Sequence, residues 1–326
     1  MRHVPVSFAA LLLSFGALAL TNACGGDDDP GSSGGTSGSS GGTSGTSGTS
    51  GDNGTSGSSG TSGTSGDTGI TCGTADAVTK KGFLAGQTLT VGGAARTYNL
   101  FVPEGYDGRK TFPLVFVFHG DGGTGSGIRN SFKIEATAAG GAIFVYPDGA
   151  GKTWVIDNAA GIQKDIDFVD AIAASLKTSH CVDTKKVFAT GFSKGAYFTN
   201  MLGCLSKMGL RGVIGHAGGG PFGLDGSGTK FDNGGQLVCP QPSVAALQVQ
   251  GETDGNVPLS EGTKARDHWR RVNGCATTSK PFDPSPCIAY DGCQAGKPEI
   301  WCQIPGLGHQ IWTNGAKVTW DFIQAN

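Results

Sequence analysis

The feature that most constrains this chain is the stretch Gly191-Phe192-Ser193-Lys194-Gly195. It follows the apolar run Lys186-Val187-Phe188-Ala189-Thr190 and continues as Ala196-Tyr197-Phe198-Thr199-Asn200-Met201-Leu202. A short apolar run, a G-x-S-x-G turn and a helical pattern predict strand, sharp turn and helix, with the serine raised on the turn. Glycines suit both ends, because such a turn is strained and packs backbone against backbone where a Cβ would clash. Ser193 then stands at a helix N-terminus, whose free N–H groups and dipole favour developing negative charge. In a chain with 58 glycines the pentapeptide alone also fits a glycine-rich turn carrying an idle serine. Its meaning depends on partners elsewhere in the sequence.

Two later segments supply them. The run Val244–Val249 leads into Gln250-Gly251-Glu252-Thr253-Asp254-Gly255-Asn256-Val257-Pro258, an acid in a glycine and proline loop just past a strand. The run Glu299–Ile304 leads into Pro305-Gly306-Leu307-Gly308-His309, a histidine similarly placed. Serine, acid and histidine in this order, each at a strand end, predict a nucleophile, an orienting carboxylate and a general base. His309 would take the Ser193 proton and return it to the leaving alcohol, while Asp254 fixes the imidazole tautomer. Glu252 is the rival acid, set second because Asp254 begins the turn. His216 precedes the acid, which places it in the lining of the site rather than as the base. His119 is read as orienting a neighbouring loop, His180 and His268 as surface residues, and His3 as part of a leader segment.

Negative charge developing on the substrate needs donors. The backbone N–H of Lys194, next after the nucleophile, is one. The other is expected from His119-Gly120-Asp121-Gly122-Gly123, the loop after the apolar run Leu114–Phe118, with the Asp121 N–H preferred and Gly122 second.

Not all of the 326 residues read as globular. Residues 1–23 have the pattern of an export signal: Arg2 and His3, an apolar stretch from about Val6 to Leu20, then small residues. That stretch is short for a membrane span. Cys24, between Ala23 and Gly25, sits where a bacterial lipoprotein would be cleaved and lipidated, although the usual leucine falls one place early, at Leu20. Residues 24–71 therefore read as an anchor cysteine and a Gly/Ser/Thr-rich tether. Having nothing apolar to bury, the tether is expected to stay flexible and to span on the order of 35–40 Å. The expected place is outside the cell or on its surface, of the outer-membrane lipoprotein type, with the lipid on Cys24 as the sole membrane contact.

Nine cysteines are present, and setting Cys24 aside leaves eight, an even number that fits disulfides in an exported domain. Cys181 and Cys204 bracket the elbow strand and helix, so a bond between them is the expected staple. The chain lacks C-x-x-C and H-x-x-x-H spacings, which argues against zinc, and neither metal nor organic cofactor is implied. A formal net charge of −2 with few charged residues offers no basic patch, so nucleic acid is excluded as a partner.

Residues 72–326 suffice for one domain with a sizeable core. Strand-like runs recur at Tyr98–Val102, Leu114–Phe118, Ala142–Tyr146, Val187–Thr190, Gly212–Gly215, Val244–Gln250 and Ile300–Ile304, and Asp165–Leu176 has one apolar helical face. Alternating strands and helices predict an α/β fold around a mostly parallel sheet covered on both faces.

Several of these residues mark a family. Cys181-Val182-Asp183-Thr184, Val187–Ser193, Gly203-Cys204, Asn273-Gly274-Cys275, Tyr290-Asp291-Gly292-Cys293 and Trp301-Cys302 closely resemble secreted feruloyl esterases of the fungal type. Pro113–Gly123, Tyr146-Pro147-Asp148-Gly149 and the Asp254 and His309 loops resemble the wider esterase and polyhydroxybutyrate-depolymerase group. The resemblance spans residues 72–326. It implies an α/β-hydrolase that cleaves ferulate esters of plant cell-wall polysaccharide with Ser193, Asp254 and His309; apart from the resemblance, a monomer is expected. Lys194 departs from the small or polar residue usual there, and its side chain is expected to point away. The glycine-rich segment Gly218–Cys239 matches only loosely. For an aromatic acyl group, Trp154, Tyr197 and Trp312 are the candidate stacking partners. Two rival readings remain: a depolymerase or other short-chain ester hydrolase, including acetylxylan esterase, using the same triad, and a tethered binding protein with an inactive one. A depolymerase acting on solid polymer calls for an exposed apolar face, a feruloyl esterase for a lined cleft.

Overall fold

The computed structural model describes Cys72 and residues 80–326, apart from 225, 227, 234 and 236. The readings of residues 1–23, of Cys24 and of the tether to residue 71 lie outside the described residues.

The chain opens with two long strands, β1 (Gly82–Val91) and β2 (Ala94–Val102), joined by a two-glycine turn at Gly92 and Gly93, both at positive φ. β3 (Phe112–Phe118), α1 (Gly125–Phe132), α2 (Ile134–Ala138) and β4 (Ile143–Pro147) follow. α3 (Ala159–Ser179), β5 (Val182–Phe192), α4 (Lys194–Leu205) and β6 (Gly212–His216) form the centre. Two strands of two residues each, β7 (Lys230–Phe231) and β8 (Leu237–Val238), make a small hairpin of their own. β9 (Ala245–Gly251), α5 (Leu259–Val272), β10 (Ser279–Pro281), β11 (Ile288–Tyr290), β12 (Glu299–Ile304) and α6 (Gly315–Ala325) complete the fold.

Ten strands form one sheet in the order β1-β2-β4-β3-β5-β6-β9-β12-β11-β10. The six from β4 to β12 are mutually parallel, and antiparallel strands extend both edges. Parallel strands covered on both faces must be apolar at nearly every position, which is why β3, β4 and β9 are continuous hydrophobic runs. Alternate side chains serve different layers. Leu114, Phe116 and Phe118 pack with Phe168 and Ile172 of α3 and Phe198 of α4. Val115 and Val117 face the layer that holds Phe132 of α1 and Phe322 of α6. All the apolar runs read as strands from the sequence lie in this sheet; the edge strands β1, β10 and β11 were not foreseen.

The cysteine pairing differs from expectation. Cys204 bonds Cys239, tying the end of α4 to the segment after β8, while Cys275–Cys293 and Cys287–Cys302 secure the chain around β10–β12. Cys181 is therefore not joined to Cys204. It is buried with its thiol on the Gly108 carbonyl at 3.0 Å and beside the Cys72 side chain. Three disulfides fit an oxidising, extracytoplasmic compartment.

Candidate active site

The turn between β5 and α4 explains its own sequence. Ser193 has φ 56° and ψ −126°, a strained conformation of the kind worth roughly 1–3 kcal/mol and found where function requires it. A Cβ on Gly191 would stand 2.3 Å from the Gly195 carbonyl oxygen, and one on Gly195 would stand 2.5 Å from the carbonyl oxygens of Phe118 and His119. No side chain fits either position. The Ser193 N–H is spent on the His216 carbonyl at 2.9 Å, which leaves the hydroxyl projecting past the sheet's carboxyl edge.

β9 and β12 run parallel beside each other and bring their following loops to the same edge. There His309 Nε2 lies 3.0 Å from Ser193 Oγ, and His309 Nδ1 lies 2.8 and 3.0 Å from the two Asp254 carboxylate oxygens. The loops meet closely because Gly251 lacks a Cβ, which would lie 2.2 Å from the Leu307 carbonyl. The Asp254 side chain is fully buried. Burial pushes its carboxyl up, but N–H donors from Val257 and Asn256, at 2.8 and 2.9 Å, and the His309 ring outweigh that and hold it below the usual range. The carboxylate is thus fixed, dry and charged, and it requires the proton to sit on His309 Nδ1, leaving Nε2 free to accept. Glu252, the rival acid, points to Gln303 at 2.7 Å instead.

The loop 119–123 is tied to residues 149–154. His119 Nδ1 donates to the Gly120 carbonyl at 2.7 Å, and its Nε2 accepts the Gly149 N–H at 3.0 Å. The Gly122 N–H is occupied by the Lys152 carbonyl at 2.8 Å and the Gly123 N–H by Gly120 at 3.1 Å. Gly122 is therefore removed as an oxyanion donor, while the Asp121 and Lys194 amides have no acceptor among the described residues. Burial pushes the His119 ring down, so it stays neutral and keeps this tautomer.

Of the other expected residues, several are corrected. Trp154 is completely buried, stacked on Phe198 at 4.8 Å, and donates its indole N–H to the His119 carbonyl at 2.9 Å. It supports the loop and offers no face to a substrate. Trp312 is 9% exposed and packs in the α6 layer. Tyr197 is half-buried, with its hydroxyl donating to Glu261 at 3.2 Å and its ring edge-on to Phe222. The Lys194 side chain does not point away: its ammonium lies 3.4 Å from the Asp121 carboxylate, which also accepts the Thr153 hydroxyl. His216 lies under the site rather than lining it, its Nε2 on Thr319 Oγ1 at 2.9 Å. His180 and His268 are buried, not surface residues.

The ring that does reach the triad is Phe192, tilted over His309 with centroids 4.9 Å apart. It sits inside the G-x-S-x-G itself, so its position was legible although its role was not assigned.

A mostly parallel sheet covered on both faces, with serine, histidine and aspartate converging on its carboxyl edge, defines an α/β-hydrolase. Solved structures agree on the fold: an acetyl xylan esterase from Aspergillus awamori superposes with TM-score 0.56 at 16% identity over 74% of this chain and 99% of its own. A ferulic acid esterase from the anaerobic fungus Anaeromyces mucronatus does so with TM-score 0.52 at 17% identity, over 78% and 95%. No family model matches the sequence. Feruloyl esterase C of Emericella nidulans is 31% identical over 253 residues, covering 71% of this chain and 84% of its own. The chain belongs to the feruloyl esterase family, a group of carboxylic ester hydrolases.

Proposed function

We propose that the chain is an exported serine esterase that releases ferulate and related hydroxycinnamates from plant cell-wall polysaccharide. The observation that carries this reading is the unbroken chain of contacts from Asp254 through His309 to Ser193, at 2.8 and 3.0 Å, beside two unoccupied backbone donors in a member of the feruloyl esterase family. His309 Nε2 takes the hydroxyl proton as Ser193 Oγ adds to the ester carbonyl. The oxyanion forms between the Lys194 and Asp121 N–H groups, each such donor worth roughly 3–4 kcal/mol of barrier. The imidazolium then gives its proton to the departing sugar oxygen as the C–O bond breaks, leaving feruloyl on Ser193. Water repeats the sequence: His309 takes its proton, its oxygen displaces Ser193, and ferulate leaves. Asp254 stays ionised throughout and stabilises the imidazolium.

Against a polymer-adsorbing depolymerase stands the surface: among the described residues only Phe231 and Val238 are large, apolar and well exposed, too little for a broad adsorption face. Ser193→Ala is expected to lower kcat on methyl ferulate at least about 1,000-fold with the unfolding midpoint unchanged. Turnover within tenfold of wild type would remove Ser193 as nucleophile.

The same reading places the enzyme on a tether, with Cys24 carrying the lipid; the three disulfides support export. The full chain is expected to partition into a detergent phase, and Cys24→Ser to the aqueous one. Aqueous partitioning of both would exclude the lipid anchor.

A further inference from the structure

The oxyanion hole draws its two donors from separate parts of the chain. Lys194 opens α4, and Asp121 lies in the loop after β3. The β3–β5 ladder runs to the Phe118–Gly191 pair, and Gly195 packs on the Phe118 and His119 carbonyls, so the root of the loop is fixed against α4. Asp121 is two residues farther out. On either side of it, the Gly122 N–H goes to the Lys152 carbonyl and the His119 ring accepts the Gly149 N–H. These bonds hold the loop to residues 149–154 and not to the helix.

The side chains of the two donor residues make the link that the backbone leaves open. One carboxylate oxygen of Asp121, Oδ1, accepts the Thr153 hydroxyl and lies 3.4 Å from Lys194 Nζ. A single atom thus joins the loop 119–123, the segment 149–154 and the first residue of α4. Charge enters as well. A carboxylate on the residue whose own N–H must meet an oxyanion opposes the negative charge that forms there. The Thr153 hydroxyl, and after it the Lys194 ammonium, hold this carboxyl below its usual range, so it is ionised at neutral pH.

We propose that Asp121 and Lys194 are positioning residues of the oxyanion hole: their side chains form a bridge that sets the spacing of their own N–H groups, and the ammonium offsets the repulsion that the carboxylate would exert on the oxyanion. The inference deepens the proposed esterase function and rests on it. Spacing matters because the donors must meet the oxyanion at about 2.7–3.1 Å, and a misplacement of about 1 Å costs on the order of 100-fold in rate. Both side chains are partly exposed, where an ion pair adds little to folding. Loss of the bridge therefore shows in the reaction rather than in stability.

The N–H groups remain whatever the side chains are, so substitution removes the bridge and spares the donors. In the full chain, Lys194→Met is expected to lower kcat on p-nitrophenyl acetate and on methyl ferulate about tenfold, with KM within about twofold of wild type and the unfolding midpoint unchanged. Lys194→Arg, which keeps the charge and the reach, is expected to stay within about threefold of wild type. Adding Asp121→Asn to Lys194→Met is expected to raise kcat about threefold again. No unpaired carboxylate then opposes the oxyanion, and the amide oxygen still accepts from Thr153. A merely structural pair gives no such recovery from a second substitution. Unchanged kcat in Lys194→Met, a loss that Lys194→Arg does not rescue, or a loss that the second substitution deepens would each overturn the bridge. With acetate still cleaved by the wild type, the esterase reading would stand. Wild-type enzyme that cleaves neither ester would overturn both.

Discussion

The floor under Ser193 and the wall beyond the far end of α4 are built in opposite ways. The floor is set by backbone against backbone: Gly191 on Gly195, Gly195 on Phe118 and His119, and the Ser193 N–H on His216, with Trp154 and His216 buried behind. Nothing there can move without a clash, and a strained serine is held in place. The wall, from Thr229 to Cys239, has two strands of two residues, an exposed Phe231 and, among its described residues, only Leu237 buried. It is secured by the Cys204–Cys239 bond and by Arg271, which pairs with Asp232 and donates to the Leu237 carbonyl. Close packing fixes geometry to tenths of an ångström, whereas a cross-link only limits how far a segment strays. The molecule uses each where that degree of control is needed.

Removing the cross-link separates the two regions most sharply. The Cys204–Cys239 bond closes a sequence separation of 35, which the chain-entropy account values at about 3–4 kcal/mol. Replacing both cysteines by alanine is expected to cost most of that in urea unfolding while kcat on methyl ferulate changes by less than about threefold. A parallel collapse of kcat would mean that the wall helps hold the floor, and the contrast drawn above would fail.

The next effect belongs to the floor and is read through pH. Burial pushes His216 down from 6.5 to about 3, and His268, on the buried face of α5, down to about 4, so both are neutral in the folded protein. The unfolded chain takes up these protons first as pH falls. Their contribution is complete above pH 6.5 and is lost progressively toward pH 4 and 3. Each group adds a slope of about 1.4 kcal/mol per pH unit in its window, so His216 alone costs about 2 kcal/mol by pH 5. His216→Phe is expected to make the stability profile between pH 6 and 4 shallower by one proton. An unchanged slope would mean that the ring is not the buried base under Ser193 that its position implies.

Legibility in the sequence follows the same division. Parallel strands with two covered faces have to be apolar throughout, so β3, β4, β5 and β9 stood out as runs, and the loops after β5, β9 and β12 carried Ser193, Asp254 and His309 in order. β1, with four of its ten positions exposed and none fully buried, and β10 and β11, three residues each, give no comparable signal. Cysteine pairing was hidden because Cys239 meets Cys204 through the wall segment, whose course no local pattern encodes. Burial of isolated aromatic and histidine side chains was hidden too. Trp154 lies in a glycine-rich, polar stretch, and only the tertiary fold shows that it stands behind the oxyanion loop rather than in front of it.

That last difference can be measured, and it is the smallest effect considered. Trp154→Phe keeps a ring to stack on Phe198 but leaves the buried His119 carbonyl without its indole donor. An unmet buried acceptor costs about 1–3 kcal/mol, and only part of that reaches the barrier, because Gly149 and Lys152 still hold the loop. A supporting residue and a substrate-stacking residue then differ in kind. If Trp154 holds the loop, kcat falls about tenfold for methyl ferulate and for p-nitrophenyl acetate alike, since both present the same oxyanion, and KM stays near its wild-type value. If it were part of the acyl pocket, KM for the ferulate would rise and the acetate would be spared. The first pattern places Trp154 with the backbone-packed floor; the second would move the boundary of the substrate site behind the loop.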